Sequence, residues 1–234
     1  MGTKLLTLFI LFSFTLQAQD MAREDYFSQK IGKHIKKFTQ ESQRAYADNN
    51  LERAEFLFDS LINNVVNGSY LDNFKVKKLS GKKSELNDFK KPVFLITYAS
   101  WCVPGVGEIP ALNDLVAEHH DEIDFVVLFW DSKDKVKKAT KEYHKKINVM
   151  YVDEKENTNN HVVKTMKHSL GFPTSFYIDS NKRILDVQRG VLHAYNESYD
   201  TSFNMNYDSF LNGVATLKSL SPNTNLNPVA TKIP

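Results

Sequence analysis

The 234-residue chain has a single cysteine, Cys102. One cysteine excludes any internal disulfide, so the fold must be stabilised by packing. Charge of one sign is lacking too: 30 Lys and Arg face 28 Asp and Glu, a formal net charge of +2. The lysine doublets (Lys77-Lys78, Lys82-Lys83, Lys137-Lys138, Lys145-Lys146) have acids nearby, and no basic stretch carries interleaved aromatics. They read as solvated faces rather than a nucleic-acid patch. Gly105-Val106-Gly107 lacks the third glycine and the context of a dinucleotide loop. His119-His120 falls at an expected helix end, where capping is preferred over metal binding. No cofactor or metal is expected.

What is present is the composition of a soluble globular protein, 41% hydrophobic and 25% charged. The length fits one domain with an appendage, or two small domains. The first residues, MGTKLLTLFILFSFTLQAQD, place one positive charge at Lys4 before an apolar stretch from Leu5 to Leu16. A small-residue ending follows at Ala18, the pattern of a secretory signal over residues 1–18. The stretch is short for a membrane span, and no later segment is apolar enough to be one. No cysteine lies near the cleavage point to carry a lipid anchor. The expectation is a periplasmic protein, in a compartment where disulfides are permitted.

Residues 19–68 read as a helical hairpin. Phe27, Ile31, Ile35, Phe38, Ser42 and Ala45 recur at helical spacing, and Ala47 to Asn50 break the run. Leu51, Ala54, Phe58, Leu61, Ile62 and Val65 form a second stripe, ended by Asn67-Gly68. Residues 69–220 alternate strands and helices. NFKVKKLSGKKSELNDF reads as a hairpin around Ser80-Gly81, and KPVFLITYAS and IDFVVLFW as buried strands. Helices are expected from Pro104 to His119, over SKDKVKKATKEYHKK, over NNHVVKTMKHSL and from Tyr207 to Leu220. INVMYVD is a short strand, and TSFYID and RILDVQRG form a final hairpin. The class is α/β with a mixed central sheet flanked by helices. Residues 221–234, without periodicity, read as a disordered tail. The Tyr-, Phe- and Asn-rich segment from Val191 to Asn206 reads as a long connection, either a partner-binding loop or an insertion.

YASWCVPGVGEIP puts Cys102 at a strand-to-helix junction. Free N–H groups at a helix start favour the thiolate, the attacking form in thiol–disulfide exchange. Pro104 suits a first-turn position. Trp101 is placed to cover one side of the sulfur. Glu108, if buried, would have a raised pKa and could pass protons near it. The bland alternatives are an inert core cysteine and a surface acid.

The stretch ITYASWCVPGVGEIP resembles the active-site segment of the thioredoxin superfamily in its extracytoplasmic TlpA-like branch, W-C-x-P-C-x-x-E-x-P. Trp101, Cys102, Pro104, Glu108 and Pro110 match, while Gly105 stands at the second cysteine. GFPTSFYIDSNKRILDVQRG resembles that family's cis-proline loop and last hairpin, with Phe172-Pro173 at the cis bond. The resemblance covers about residues 70 to 220. It implies a thioredoxin-like fold preceded by the helical hairpin, with Cys102 and Glu108 in the chemistry and Trp101, Pro104, Gly105, Phe172 and Pro173 supporting them. A peroxiredoxin, which shares the fold, needs Thr or Ser where Ala99 stands.

With Gly105 at the resolving position, three readings stay open. The protein is a monothiol oxidoreductase that needs an outside thiol or captures cysteines of extracytoplasmic partners. Alternatively it is a redox-silent module that binds proteins through the same groove. Third, Cys102 is a sensor thiol or links two chains into a dimer. Loss of a neighbouring S–H donor should leave the Cys102 pKa above that of two-cysteine relatives.

Overall fold

A computed structural model describes residues 25–152, 160–191 and 196–219. The expected signal (1–18) and tail (221–234) lie outside the described residues. Helix α1 (Phe27–Ala47) and helix α2 (Leu51–Leu61) form the expected hairpin. Asn50 caps α2, its Oδ1 accepting from Arg53 N–H at 2.9 Å. One π-helical turn, Ile62–Val66, extends α2. A π turn takes in an extra residue, and Val66 rather than Val65 lies fully buried. Leu51, expected in the stripe, is 58% exposed. Gly68, at φ +80°, supplies the stop.

Strands β1 (Lys75–Lys78) and β2 (Lys83–Glu85) make the expected hairpin. The remaining strands are β3 (Val93–Tyr98), β4 (Asp124–Phe129), β5 (Asn148–Tyr151), β6 (Thr174–Ile178) and β7 (Ile184–Arg189). They form one mixed sheet in the order β2-β1-β5-β4-β3-β6-β7. β3 is buried along its whole length, parallel to β4 and antiparallel to β6. That is why its sequence is a continuous apolar run.

Helices α3 (Glu108–His119), α4 (Lys133–Ala139), α5 (Asn160–His168) and α6 (Tyr199–Ser219) complete the chain. The hairpin and α5 cover one face, where Phe27, Ile62, Val66, Val163 and Met166 join Leu95, Val126 and Phe176. Helices α3 and α6 cover the other, where Leu112, Leu115, Phe210 and Val214 surround Phe94. The Phe94 ring meets Phe125, Tyr177 and Phe210 at 5.4, 4.9 and 5.9 Å. This is the thioredoxin-like architecture, a mixed sheet flanked by helices with a helical pair ahead of it. Among the described residues no helix is long and apolar enough to cross a membrane.

Three helix boundaries differ from expectation. Helix α3 starts at Glu108, not Pro104. Gly105 and Glu108 bond to each other, Glu108 N–H to Gly105 O at 3.0 Å and Gly105 N–H to Glu108 Oε2 at 3.3 Å. They close a turn before the helix begins. The proline in the first turn is Pro110, where a missing N–H costs nothing. Helix α4 stops at Ala139, and Thr140 ends it with Oγ1 on Val136 O at 2.9 Å. Helix α6 starts at Tyr199, so the second half of the expected 191–206 connection is helical. Ser198 begins it, its Oγ accepting from Thr201 N–H at 3.2 Å.

Candidate functional site

The site forms where β3 and β4 end side by side. Their register pairs Tyr98 with Phe129, so the residues just beyond each strand meet. Past Tyr98 the chain folds back, with Cys102 N–H on Ala99 O at 2.9 Å. Asp131, just past β4, accepts from Ser100 N–H at 2.6 Å and lies 3.8 Å from Lys135 Nζ. The cysteine loop is thus held from both strands.

Cys102 is half-buried and packs against the α3–α6 core. It does not sit on a helix start. Residues 102–107 are non-helical, and α3 begins six residues after the cysteine. The helix field fades within a turn. Burial pushes the Cys102 thiol up, a backbone hydrogen bond at Ala99 pulls it back, and the Glu108 and Asp131 carboxylates add to the rise. The expected thiolate-favouring helix end is corrected: the surroundings favour the protonated thiol.

Glu108 is half-buried as the first residue of α3. Its Oε1 accepts from Tyr98 O–H at 3.2 Å and its Oε2 from Gly105 N–H. One carboxylate therefore ties the end of β3 to the cysteine loop. Burial and the Glu108 charge together hold the Tyr98 and Tyr143 phenols well above their ordinary value. Pro104 and Gly105 lie in the loop itself, both half-buried.

Trp101 is 72% exposed and meets Phe172 edge-on, ring centroids 6.3 Å apart. This contact brings the cysteine loop and the loop before β6 together. The Phe172–Pro173 peptide bond is cis. Pro173 O accepts from Gly190 N–H at 3.0 Å, and any Cβ at Gly190 would run into the Pro173 ring. At the far end of α3, His120 Nδ1 lies 3.1 Å from Val116 O, the expected capping position.

The structure therefore brings Trp101, Cys102, Pro104, Gly105, Glu108, Phe172 and Pro173 to one end of the sheet. Sequence reasoning missed Tyr98, Asp131 and Tyr143. The signal for Asp131 was legible, because adjacent parallel strands end level and a carboxylate stands two residues past the second one. Tyr143 had none, since it lies in a stretch read as helix.

The sequence profile of the AhpC/TSA family matches residues 68–187. The chain belongs to the AhpC/TSA family. The chain is similar to the thiol-disulfide oxidoreductase ResA of Bacillus thuringiensis subsp. konkukian (strain 97-27). The two are 34% identical over 126 residues, 53% of this chain and 69% of the relative. It is also similar to the thioredoxin-like protein YneN of Bacillus subtilis (strain 168), at 28% identity over 129 residues, 53% of this chain and 72% of the relative. A solved structure, a putative thiol:disulfide interchange protein DsbE from Chlorobium tepidum, aligns with 60% of this chain and 97% of its own at 24% identity and TM-score 0.45. The AhpC/TSA match begins at the end of the hairpin and takes in every strand, with β7 included as far as Val187.

Proposed function

We propose that the mature chain is an extracytoplasmic thiol-disulfide oxidoreductase of monothiol type, with Cys102 as its attacking sulfur. The observation that carries the reading is the position of the chain's one cysteine, half-buried in the loop that Trp101 joins to Phe172. Similarity to a protein named as a thiol-disulfide oxidoreductase supports it. The Cys102 thiolate attacks one sulfur of a partner's disulfide. A mixed disulfide forms, and the partner's other sulfur leaves as a thiolate that takes up a proton. Release requires a second thiolate to attack that mixed disulfide. Gly105 stands where the resemblance places a resolving cysteine, so the second thiol comes from outside, on a small reductant or another protein. Glu108, fixed beside the loop by Tyr98 and Gly105, is the candidate to relay the proton. Residues 1–18 direct secretion, which puts the partners among periplasmic proteins carrying cysteines or disulfides.

The test is mass spectrometry of species disulfide-linked to Cys102 in cells, against a Cys102→Ser control. Partner adducts present only with the cysteine support the reading, and their absence contradicts it. N-terminal sequencing of the mature protein checks the secretion step, with a start at Gln19 expected. Full-length chain retained in carbonate-washed membranes would contradict that step.

The raised thiol pKa favours a second reading, a redox-silent module that uses the same end of the sheet to bind proteins. Under it Cys102 forms no adduct in the native state.

A further inference from the structure

Strand β7 closes one edge of the sheet, and only its start is covered. Ile184 N–H donates to Ser69 O and Ile184 O accepts from Gly68 N–H, each at 2.8 Å. Farther along, the bond from Gly190 N–H to Pro173 O fixes the alternation of the β6–β7 ladder. Asp186 and Gln188 bond inward to β6, while Val187 and Arg189 turn their backbone N–H and C=O outward. Among the described residues no backbone group meets that outward pair.

A groove of about 670 Å³ lies beside this edge, between β7, the α1–α2 hairpin and Met205 of α6. Its size falls in the range of ligand sites. Apolar groups within it face solvent: Leu51, Tyr46 and Met205 are 58%, 50% and 38% exposed. Its charged groups are acidic except for one. Glu55, Asp59 and Asp186 line it along with Arg189. Arg189 is already engaged, its guanidinium 4.0 Å over the Phe58 ring and its Nη1 donating to Tyr46 O–H at 3.0 Å. The three carboxylates leave the groove negative. At one end it reaches Gly190, which touches Pro173 next to the Trp101–Phe172 contact.

We propose that this groove binds an extended segment of a partner protein, alternately basic and apolar, which adds a strand to the outer edge of β7. The free edge supplies the backbone bonds, and alternate side chains reach the apolar floor. Charge complementarity selects the occupant: basic side chains on the hairpin face meet Glu55 and Asp59, Asp186 adds negative charge from the other face of β7, and acidic side chains are repelled. The site goes beyond the thiol chemistry of Cys102 and does not depend on it.

The test is a fluorescence-anisotropy titration of the full mature chain. The probe is a labelled peptide of alternating arginine and valine, about ten residues long, which spans ~33 Å when extended. A glutamate–valine peptide is the comparison. Neither carries a cysteine, so failure here leaves the Cys102 reading untouched. The arginine peptide should saturate, weaken with salt and lose about tenfold in affinity against Glu55→Lys/Asp59→Lys. Both substituted residues are exposed, so the fold is not at risk. N-methylation of alternate peptide nitrogens should weaken binding comparably. Equal binding of the two peptides, or binding unchanged in the double variant, overturns the proposal. Full binding of the N-methylated peptide overturns the strand addition. A wild-type dimer in sedimentation that the double variant dissociates would assign the groove to a second copy instead, and also overturn it.

Discussion

Glu108 makes Cys102 harder to ionise while it holds the cysteine loop in place. Its carboxylate accepts from Tyr98 and Gly105, and its charge, like that of Asp131, opposes the thiolate. Only the thiolate attacks, so native alkylation of Cys102 should be slow at neutral pH and rise as pH climbs past the ordinary thiol range. Glu108→Gln keeps an acceptor for the Tyr98 O–H and removes the charge. The rate–pH profile of Cys102 alkylation should then move to lower pH. Asp131→Asn should move it the same way by less. A profile unchanged in Glu108→Gln would show that burial alone sets the thiol. Trp101, 72% exposed against Phe172, provides a fluorescence reporter for adducts formed next to it.

Two glycines show how the elements are fixed. Gly107 precedes α3 at φ −99°, a conformation open to any residue. It is glycine because α6 crosses it closely: its N–H donates to Ser202 Oγ at 3.0 Å, and a Cβ would overlap the Phe203 backbone. Gly107→Ala should therefore cost about 1–3 kcal/mol. Gly32, exposed within α1 with no atom near its would-be Cβ, is the opposite case. Gly32→Ala should gain about 0.5–1 kcal/mol from helix propensity. Denaturant unfolding of the two variants checks both signs, and a neutral Gly107→Ala would refute the close crossing. The same contact explains a misread boundary. The start of α6 buries Ser202 and Asn206, so its inward face is polar and carries no hydrophobic period. Strands β3 and β4 were legible because burial on both faces writes itself as a continuous apolar run. The hairpin was legible from its 3.6-residue stripes, up to the π turn that shifted Val66 inward. The α3 start was not, because the reciprocal Gly105–Glu108 turn depends on a side chain reaching back to a backbone N–H, and Pro104 carries the same first-turn signal as Pro110. The candidate site was legible as a motif. Its electrostatics were not, since Tyr98, Asp131 and Tyr143 converge on it from three separate segments.

With no disulfide, the whole molecule depends on one sheet packed on both faces, and its buried acids make that packing sensitive to alkali. Burial raises the phenols of Tyr98, Tyr143 and Tyr177 in the folded chain, and Cys102 is raised as well. Each holds its proton more tightly folded than unfolded. Stability should be complete below the ordinary pKa values of these groups, begin to fall through the thiol range, and drop steeply above about pH 10, where unfolded tyrosines ionise. Thermal melts across that range check this, and a Tm flat to high pH would contradict the burial of these phenols. Cys102 is proposed as a reactive monothiol that forms mixed disulfides and turns over poorly alone. Its most direct test is intact-mass spectrometry of the native protein after exposure to a small-molecule disulfide, with Gly105→Cys alongside in a disulfide-reductase assay. A monothiol accumulates a one-to-one adduct on the wild type, faster at higher pH, and Gly105→Cys gains reductase turnover. A Cys102 that stays unmodified while the protein is folded and reacts only after unfolding, with no turnover gained by Gly105→Cys, would contradict it.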